Sequence, residues 1–180
     1  MTTGRFRRRV LQLLFAAGAF AILWHPAAPA RAQEMIGPAT GLPLPRYVSL
    51  KSDRVNLREG PSGDHRVLWV YQRVTLPVEI TAESDAWRKI RDAEGTVGWV
   101  LKGLLSGRRT ALIAPWKRVG LAPLRSQPSD QSSLVADLQV GVIGNVKKCD
   151  GAWCRIFGSG FDGYIEQTNL WGVYPGEIVD

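Results

Sequence analysis

The sequence repeats the stretch Arg54-Val55-Asn56-Leu57-Arg58-Glu59-Gly60-Pro61-Ser62 further along the chain, as Arg118-Val119-Gly120-Leu121-Ala122-Pro123-Leu124-Arg125-Ser126-Gln127-Pro128-Ser129. Both stretches contain the pattern Leu-Arg-x-x-Pro-Ser. Three more landmarks recur in the same order, at offsets of 65 to 67 residues: Ala86-Trp87-Arg88-Lys89-Ile90 with Ala152-Trp153-Cys154-Arg155-Ile156, Gly98-Trp99-Val100 with Gly163-Tyr164-Ile165, and Leu104-Leu105-Ser106-Gly107 with Asn169-Leu170-Trp171-Gly172. This constancy indicates that one structural unit occurs twice.

The repeated unit has the pattern of short β-strands. Runs rich in β-forming residues cover 67–71, 76–82, 86–92 and 96–101, and turn-forming residues separate them. No segment beyond residue 32 sustains a helical apolar period over about ten residues. We therefore predict an all-β chain of two tandem small barrels. The predicted limits are 33–45 for an extended, poorly ordered lead-in, 46–109 for the first barrel, 110–117 for an apolar connector and 118–180 for the second barrel.

These motifs resemble the bacterial SH3 (SH3b) domain signature over about residues 46–175. The resemblance rests on Val55-Asn56-Leu57-Arg58-x-x-Pro61, on Trp87-x-x-Ile90 and on Gly98-Trp99-Val100. The second copy departs from the signature, because it lacks the Asn before the Leu-Arg pair and has Tyr164 in place of the late Trp. The resemblance implies SH3-like barrels, usually targeting modules that hold cell-wall enzymes to peptidoglycan or bind peptides.

The first 32 residues have the three-part pattern of a secretory signal peptide. Four arginines between Arg5 and Arg9 precede an apolar run over 10–24, and Ala30-Arg31-Ala32 offers small residues for cleavage between Ala32 and Gln33. The apolar run is shorter than the roughly 20 residues of a membrane-spanning helix. We expect an exported protein, periplasmic or extracellular, with no stable membrane insertion after cleavage. An uncleaved anchor is the alternative, and the pattern leaves ordinary and twin-arginine export both open.

Most of the formal net charge of +7 belongs to that N-terminal segment. Residues 33–180 carry 18 basic and 16 acidic residues, a formal net charge of +2. A local basic stretch remains over 102–118, which contains Arg108 and Arg109 and no acidic residue. This stretch either meets an anionic partner, such as peptidoglycan carboxylates, or is a solvated linker. The expected compartment disfavours a nucleic-acid partner.

Cys149 and Cys154 bracket a four-residue turn that contains Asp150-Gly151. In a hairpin the two cysteines would face each other, and in an oxidising compartment they would form a disulfide. The repeat places Glu83 and Arg88 at the equivalent positions, where a cross-strand ion pair is expected. A redox-active pair normally has the closer C-x-x-C spacing, and a zinc site needs more ligands.

The residue inventory argues against catalysis and against a bound metal or cofactor. His65 is the only histidine after the predicted cleavage site, and no histidine follows either cysteine as a Cys-His peptidase would need. A zinc hydrolase needs a cluster of His, Asp or Glu ligands that the sequence does not offer. A glycosidase with two carboxylates is not excluded by count, but two small barrels are not expected to form a deep cleft.

Aromatic residues support a binding function. Trp69 and Tyr71 share one face of the run 67–71, so with Arg73 they are expected to present an aromatic shelf with a cation. The alternative is that this face packs against the other repeat. Trp116, in the connector, is a further candidate contact beside the basic residues. The predicted function is binding of peptidoglycan or its stem peptides, with a protein–protein adaptor as the alternative and a cell-wall hydrolase as a distant third; the oligomeric state is left open.

Overall fold

The computed structural model describes residues 35–180, and within them the chain consists of β-strands, turns and two short 3₁₀ turns. The predicted signal peptide and its cleavage site between Ala32 and Gln33 lie outside the described residues. The all-β prediction is confirmed. Among the described residues, no helix has the length and apolar character needed to span a membrane.

The first repeat forms a curled, seven-stranded antiparallel sheet. A short hairpin precedes it, made of β1 (Met35–Ile36) and β2 (Pro43–Leu44). The sheet strands are β3 (Arg46–Leu50), β4 (Val55–Arg58), β5 (Val67–Tyr71), β6 (Pro77–Ser84), β7 (Trp87–Arg91), β8 (Val97–Leu101) and, after the 3₁₀ turn Lys102–Leu104, β9 (Leu105–Ser106). They are hydrogen-bonded in the order β5-β4-β8-β7-β6-β3-β9.

The second repeat forms a sheet of the same order. Its strands are β10 (Thr110–Ile113), β11 (Leu121–Arg125), β12 (Leu134–Gln139), β13 (Ile143–Asp150), β14 (Trp153–Gly158), β15 (Phe161–Glu166) and, after the 3₁₀ turn Gln167–Asn169, β16 (Leu170–Trp171). The order β12-β11-β15-β14-β13-β10-β16 matches the first sheet strand for strand. A last strand, β17 (Ile178–Val179), pairs with β13. The two copies inferred from the sequence are therefore two SH3-like barrels.

Each barrel has its own apolar core, because alternate residues of the curled strands point inward. The first core is centred on Leu50, Val55, Leu57, Val78, Ile80, Ile90 and Val100. The second is centred on Ile113, Leu124, Cys154, Ile156 and Ile165. The repeated Leu-Arg motif thus supplies one buried leucine to each core, Leu57 and Leu124.

Two of the predicted boundaries differ from the structure. Residues 110–113 form a buried strand of the second sheet, β10, whereas the sequence assigned 110–117 to a connector. Ala111 and Ile113 are buried in the second core, because the sheet needs this strand between β13 and β16. The lead-in is also ordered: it forms the β1–β2 hairpin, buries Leu44, and donates hydrogen bonds from Ala39 and Thr40 to Glu83.

The disulfide Cys149–Cys154 is confirmed and lies in the expected register. The two cysteines face each other across β13 and β14 with Cα atoms 4.1 Å apart. Glu83 and Arg88 face each other across β6 and β7 at the matching position, with Arg88 Nε 3.3 Å from Glu83 Oε1. This ion pair is buried rather than exposed, because Arg46 and the lead-in hairpin also cover Glu83.

The two barrels contact each other directly. The ring of Tyr47 in the first barrel packs against Trp171 and Tyr174 of the second, with ring centroids 5.3 Å and 4.6 Å away. Tyr174 also donates a hydrogen bond of 3.0 Å to the buried carboxylate of Glu79. Arg91 forms a salt bridge of 2.6 Å with the same carboxylate. The interface therefore combines stacked aromatic rings with a shielded charge.

Candidate functional site

A cleft of about 670 Å³ lies on the second barrel, beside its contact with the first. Its walls carry three tryptophans, one carboxylate and one residue of the first barrel. The residues that matter to its chemistry are Tyr47, Trp116, Trp153, Glu166, Trp171 and Pro175. Clefts of this size that combine apolar walls with few polar groups are typical ligand sites.

Trp153 is positioned by the hairpin that carries the disulfide. The Asp150 carboxylate accepts hydrogen bonds from the backbone N–H groups of Trp153 and Ala152, at 2.8 Å and 3.0 Å. These two hydrogen bonds lower the pKa of Asp150. Gly151 takes a left-handed conformation (φ +98°), which most side chains would disfavour. The turn and the disulfide together fix where β14 begins, and Trp153 is its first residue.

Glu166 faces Trp153 directly across the β14–β15 pair. Residues opposite each other on antiparallel strands have Cβ atoms about 4.5–5.5 Å apart, so the carboxylate and the indole are close neighbours. Glu166 forms no salt bridge with any described residue. Its hydrogen bonds come from the neutral groups of Thr168 and Asn169, at 3.2 Å and 3.4 Å. The cleft therefore has a carboxylate that lacks a cationic partner within the described part of the chain.

Trp171 is held at the junction between the barrels. It lies on β16, where it pairs with Leu112 of β10 and packs against Tyr47. The guanidinium of Arg91 lies 5.6 Å from its ring centroid, on the side of the first barrel. The following residue, Gly172, has φ +122°, and a side chain there would run into the Thr110 carbonyl oxygen. The chain can turn away directly after Trp171 only because this position is a glycine.

The C-terminal segment closes one wall of the cleft. Glu177 forms a two-pronged ion pair with Arg109, at 2.8 Å and 3.0 Å, and accepts the N–H of Tyr174. Burial opposes ionisation of Glu177, but the hydrogen bonds from Arg109 and Tyr174 outweigh it and lower its pKa. Gln167 donates to the Glu177 carbonyl and accepts from Gly176. These contacts hold Pro175 and Gly176 against the cleft.

Tyr47 completes the cleft from the first barrel. Its residue is buried, and burial followed by the nearby Glu79 carboxylate raises the pKa of its phenol. The tyrosine is therefore neutral at physiological pH. The site draws on both repeats, since its tryptophans come from the second and this ring from the first.

The predicted aromatic shelf is not present as a pair. Trp69 is 58% exposed on β5, but Tyr71 is buried and donates a hydrogen bond of 2.9 Å to Asp92. The alternation prediction for Tyr71 was wrong, because the bulge between Leu57 and Arg58 shifts the β4–β5 register and a buried carboxylate accepts its hydroxyl. Burial and the Asp92 carboxylate raise the pKa of Tyr71.

The predicted cations are spread over different environments. Arg73 donates a hydrogen bond of 2.9 Å to the Gly141 carbonyl and so links the barrels. Arg109 is paired with Glu177, whereas Arg108 is exposed between β9 and β10. Trp116 is 55% exposed and is the predicted contact residue that lines the cleft. Within residues 35–180, no group of three or more His, Cys, Asp or Glu side chains comes together as metal ligands.

Sequence reasoning missed Tyr47, Trp153, Glu166 and Trp171 as site residues. The signal that distinguishes two of them is a difference between the copies. By register, Glu166 corresponds to Leu101 and Trp171 to Ser106. The second repeat therefore adds a carboxylate and an indole where the first has an aliphatic side chain and a small hydroxyl. Positions at which the copies differ in chemistry indicate the site better than the shared tryptophans do.

Comparison with known proteins assigns the family. The model of the bacterial SH3 domain family matches residues 51–107 and 118–172, one segment in each barrel. The chain belongs to the bacterial SH3 domain family. No curated protein matches this SH3 pair.

Two solved structures resemble the SH3 pair distantly: NlpC2 and NlpC1 from Trichomonas vaginalis, both 18% identical with a TM-score of 0.32. The match covers 71% of this chain and 48% of NlpC2, and 79% of this chain and 51% of NlpC1. The chain thus spans about half the length of these structures. Similarity at this level does not bear on function.

Proposed function

We propose that this SH3 pair is a non-catalytic binding module of the cell envelope that holds peptidoglycan or its stem peptides in the tryptophan-lined cleft. The observation that carries the proposal is the cleft itself, where Trp116, Trp153 and Trp171 meet at the junction of the barrels. Indole rings offer large apolar faces for sugar rings and peptide stems, with an N–H for hydrogen bonding. Membership of the bacterial SH3 family supports a targeting role.

The chemistry of the described residues supports a non-catalytic module. Both cysteines are joined in the disulfide, so neither is a thiolate nucleophile. His65 lies in the loop before β5, away from Cys149 in the other barrel. A structural disulfide also supports export to an oxidising compartment, in agreement with the signal-like N-terminal sequence.

Co-sedimentation with purified, protein-free sacculi tests the proposal. We expect the protein without residues 1–32 to be retained at low salt, and Trp153→Ala to reduce retention at least tenfold. Trp69→Ala is the matched control, since Trp69 is exposed outside the cleft. Failure of the wild-type protein to bind sacculi would overturn the proposal. Equal losses in both variants would place the site elsewhere, and clearing of sacculi on a zymogram would contradict the non-catalytic role.

The alternative is an adaptor that recognises a peptide segment of another envelope protein. It is favoured by β5, the edge strand of the first sheet, which exposes Val67, Leu68 and Trp69. An extended peptide can add to such an edge through backbone hydrogen bonds. Binding to a purified envelope protein that Trp69→Ala abolishes, together with no retention on sacculi, would favour this function.

A further inference from the structure

We propose that the cleft selects ligands through a positively charged amine, held between the tryptophan rings and the Glu166 carboxylate. In the setting of the proposed function, on which this inference rests, the ligand is a stem peptide whose diamino acid carries a free side-chain ammonium. The inference names the part of the ligand that the cleft recognises and the residue that recognises it.

The charge of the cleft is the first argument. Glu166 is the one carboxylate on its walls, and neither lysine nor arginine lines it. The carboxylate accepts hydrogen bonds from the neutral groups of Thr168 and Asn169, and it forms no salt bridge within residues 35–180. Because the site is partly shielded from water, a cation that enters it would gain more from this charge than at an open surface.

The position of the indoles is the second argument. Glu166 is directly opposite Trp153 across β14 and β15, and Trp171 lines the same cleft. An ammonium is attracted to the face of an indole within about 6 Å of the ring centroid, and tryptophan is the strongest such partner. A carboxylate beside indole rings therefore favours a compact cation over a neutral or anionic group.

The contrast between the repeats is the third argument. The surface of the first barrel around Trp87 has Leu101 where the second has Glu166, and it is flanked by Arg54 and Arg58. That surface has the opposite charge and cannot attract an amine. Only the second repeat combines the tryptophan with a carboxylate.

The size of the cleft argues for a short peptide end. A volume of about 670 Å³ lies within the range of small-molecule sites and accommodates a few residues. Extended protein segments usually bind along open grooves or sheet edges instead. The closed C-terminal wall at Pro175 and Gly176 also favours a branched stem over a chain that passes through.

Calorimetric titration with a soluble stem peptide tests the inference, using the free side-chain amine and the same peptide acetylated at that amine. We expect acetylation to weaken binding to the wild-type protein at least tenfold. Glu166→Gln should weaken binding of the free amine by a similar factor and leave the acetylated peptide unaffected. The matched control is Asp137→Asn, an equal change of charge at an exposed position of the same barrel. It should retain wild-type affinity.

The outcomes separate this inference from the proposed function. If sacculi are retained but neither acetylation nor Glu166→Gln changes affinity, the amine inference is wrong and the binding function stands. If the wild-type protein binds neither sacculi nor the stem peptide, both are wrong. Equal affinity for a lysine-containing protein segment would overturn the choice of a stem peptide. Denaturation midpoints of both variants close to wild type would show that the comparison concerns folded proteins.

Discussion

Tyr47 of the first barrel packs edge-on against Trp171 of the second, with ring centroids 5.3 Å apart and planes at 82°. This is a favourable geometry for two aromatic rings. Tyr47 also lines the cleft, so one side chain serves both the junction and the site. We expect Tyr47→Ala to lower the free energy of unfolding by about 3–5 kcal/mol, as for other buried aromatic residues, and to weaken sacculus binding. Urea denaturation and co-sedimentation measure the two effects.

Tyr47→Phe is the control for that prediction. The Tyr47 hydroxyl makes no side-chain hydrogen bond to the described residues, so its loss should change stability by less than about 1 kcal/mol. A Tyr47→Phe variant as unstable as Tyr47→Ala would show that the ring contact is not what matters.

Glu83 makes stability depend on acidic pH. Burial opposes its ionisation, but hydrogen bonds from Arg46, Thr40 and Ala39 outweigh burial and lower its pKa from 4.5 to about 2. Its folded-state pKa lies below the unfolded value, so its contribution is present above about pH 4.5 and is lost as the pH falls towards 2. The pKa difference corresponds to roughly 3 kcal/mol. Urea midpoints from pH 6 to pH 2 should show this decline.

Glu83→Gln should flatten the acid limb and cost about 3–5 kcal/mol at neutral pH, because Arg46 and Arg88 lose their shared anion. Glu59→Gln is the matched control, since Glu59 is an exposed partner of Arg66 at 3.7 Å. It should change stability by less than about 1 kcal/mol. An unaltered acid limb in Glu83→Gln would contradict the assignment.

Removal of the disulfide should loosen the hairpin that begins at Trp153. The closed loop between Cys149 and Cys154 is short, so the chain-entropy model gives a stabilisation of about 2 kcal/mol. We expect Cys149→Ala/Cys154→Ala to lose about that much and to bind sacculi more weakly, while the first barrel stays folded. A stability change within experimental error would show that the staple is dispensable.

Tyr71 is expected to act on stability and not on binding. Tyr71→Phe removes a buried hydrogen bond to Asp92, which also accepts the backbone N–H groups of Glu94 and Thr96. The expected cost is about 1–3 kcal/mol. Sacculus binding of the folded variant should equal that of wild type, and a selective loss of binding would restore Tyr71 as a contact residue.

The repeat made much of the fold predictable. Because Trp87 and Trp153 start equivalent strands, counting back from them places Glu83 opposite Arg88 and Cys149 opposite Cys154, as the structure has them. The burial of that ion pair was not predictable, because the cover comes from a hairpin that pairs only locally in sequence and reaches Glu83 through the fold.

The site was less predictable than the fold. Tyr71 follows strict alternation only in a flat strand, and the bulge beside Leu57 breaks that assumption. The contact between Tyr47 and Trp171 depends on how two barrels dock, which no local pattern contains. The substitution of Glu166 for Leu101 was visible in the sequence, but its meaning depends on its position opposite Trp153.

The position of β10 bears on how such domains can be transplanted. The family segments, 51–107 and 118–172, leave out β3 and β10, the strands that lie between their neighbours in both sheets. A fragment cut at those limits would uncover β13 and β16 and present unpaired backbone to other chains, which promotes aggregation. Three residues separate β9 from β10, too few for a flexible tether. The pair should therefore be grafted as one block that starts before Arg46.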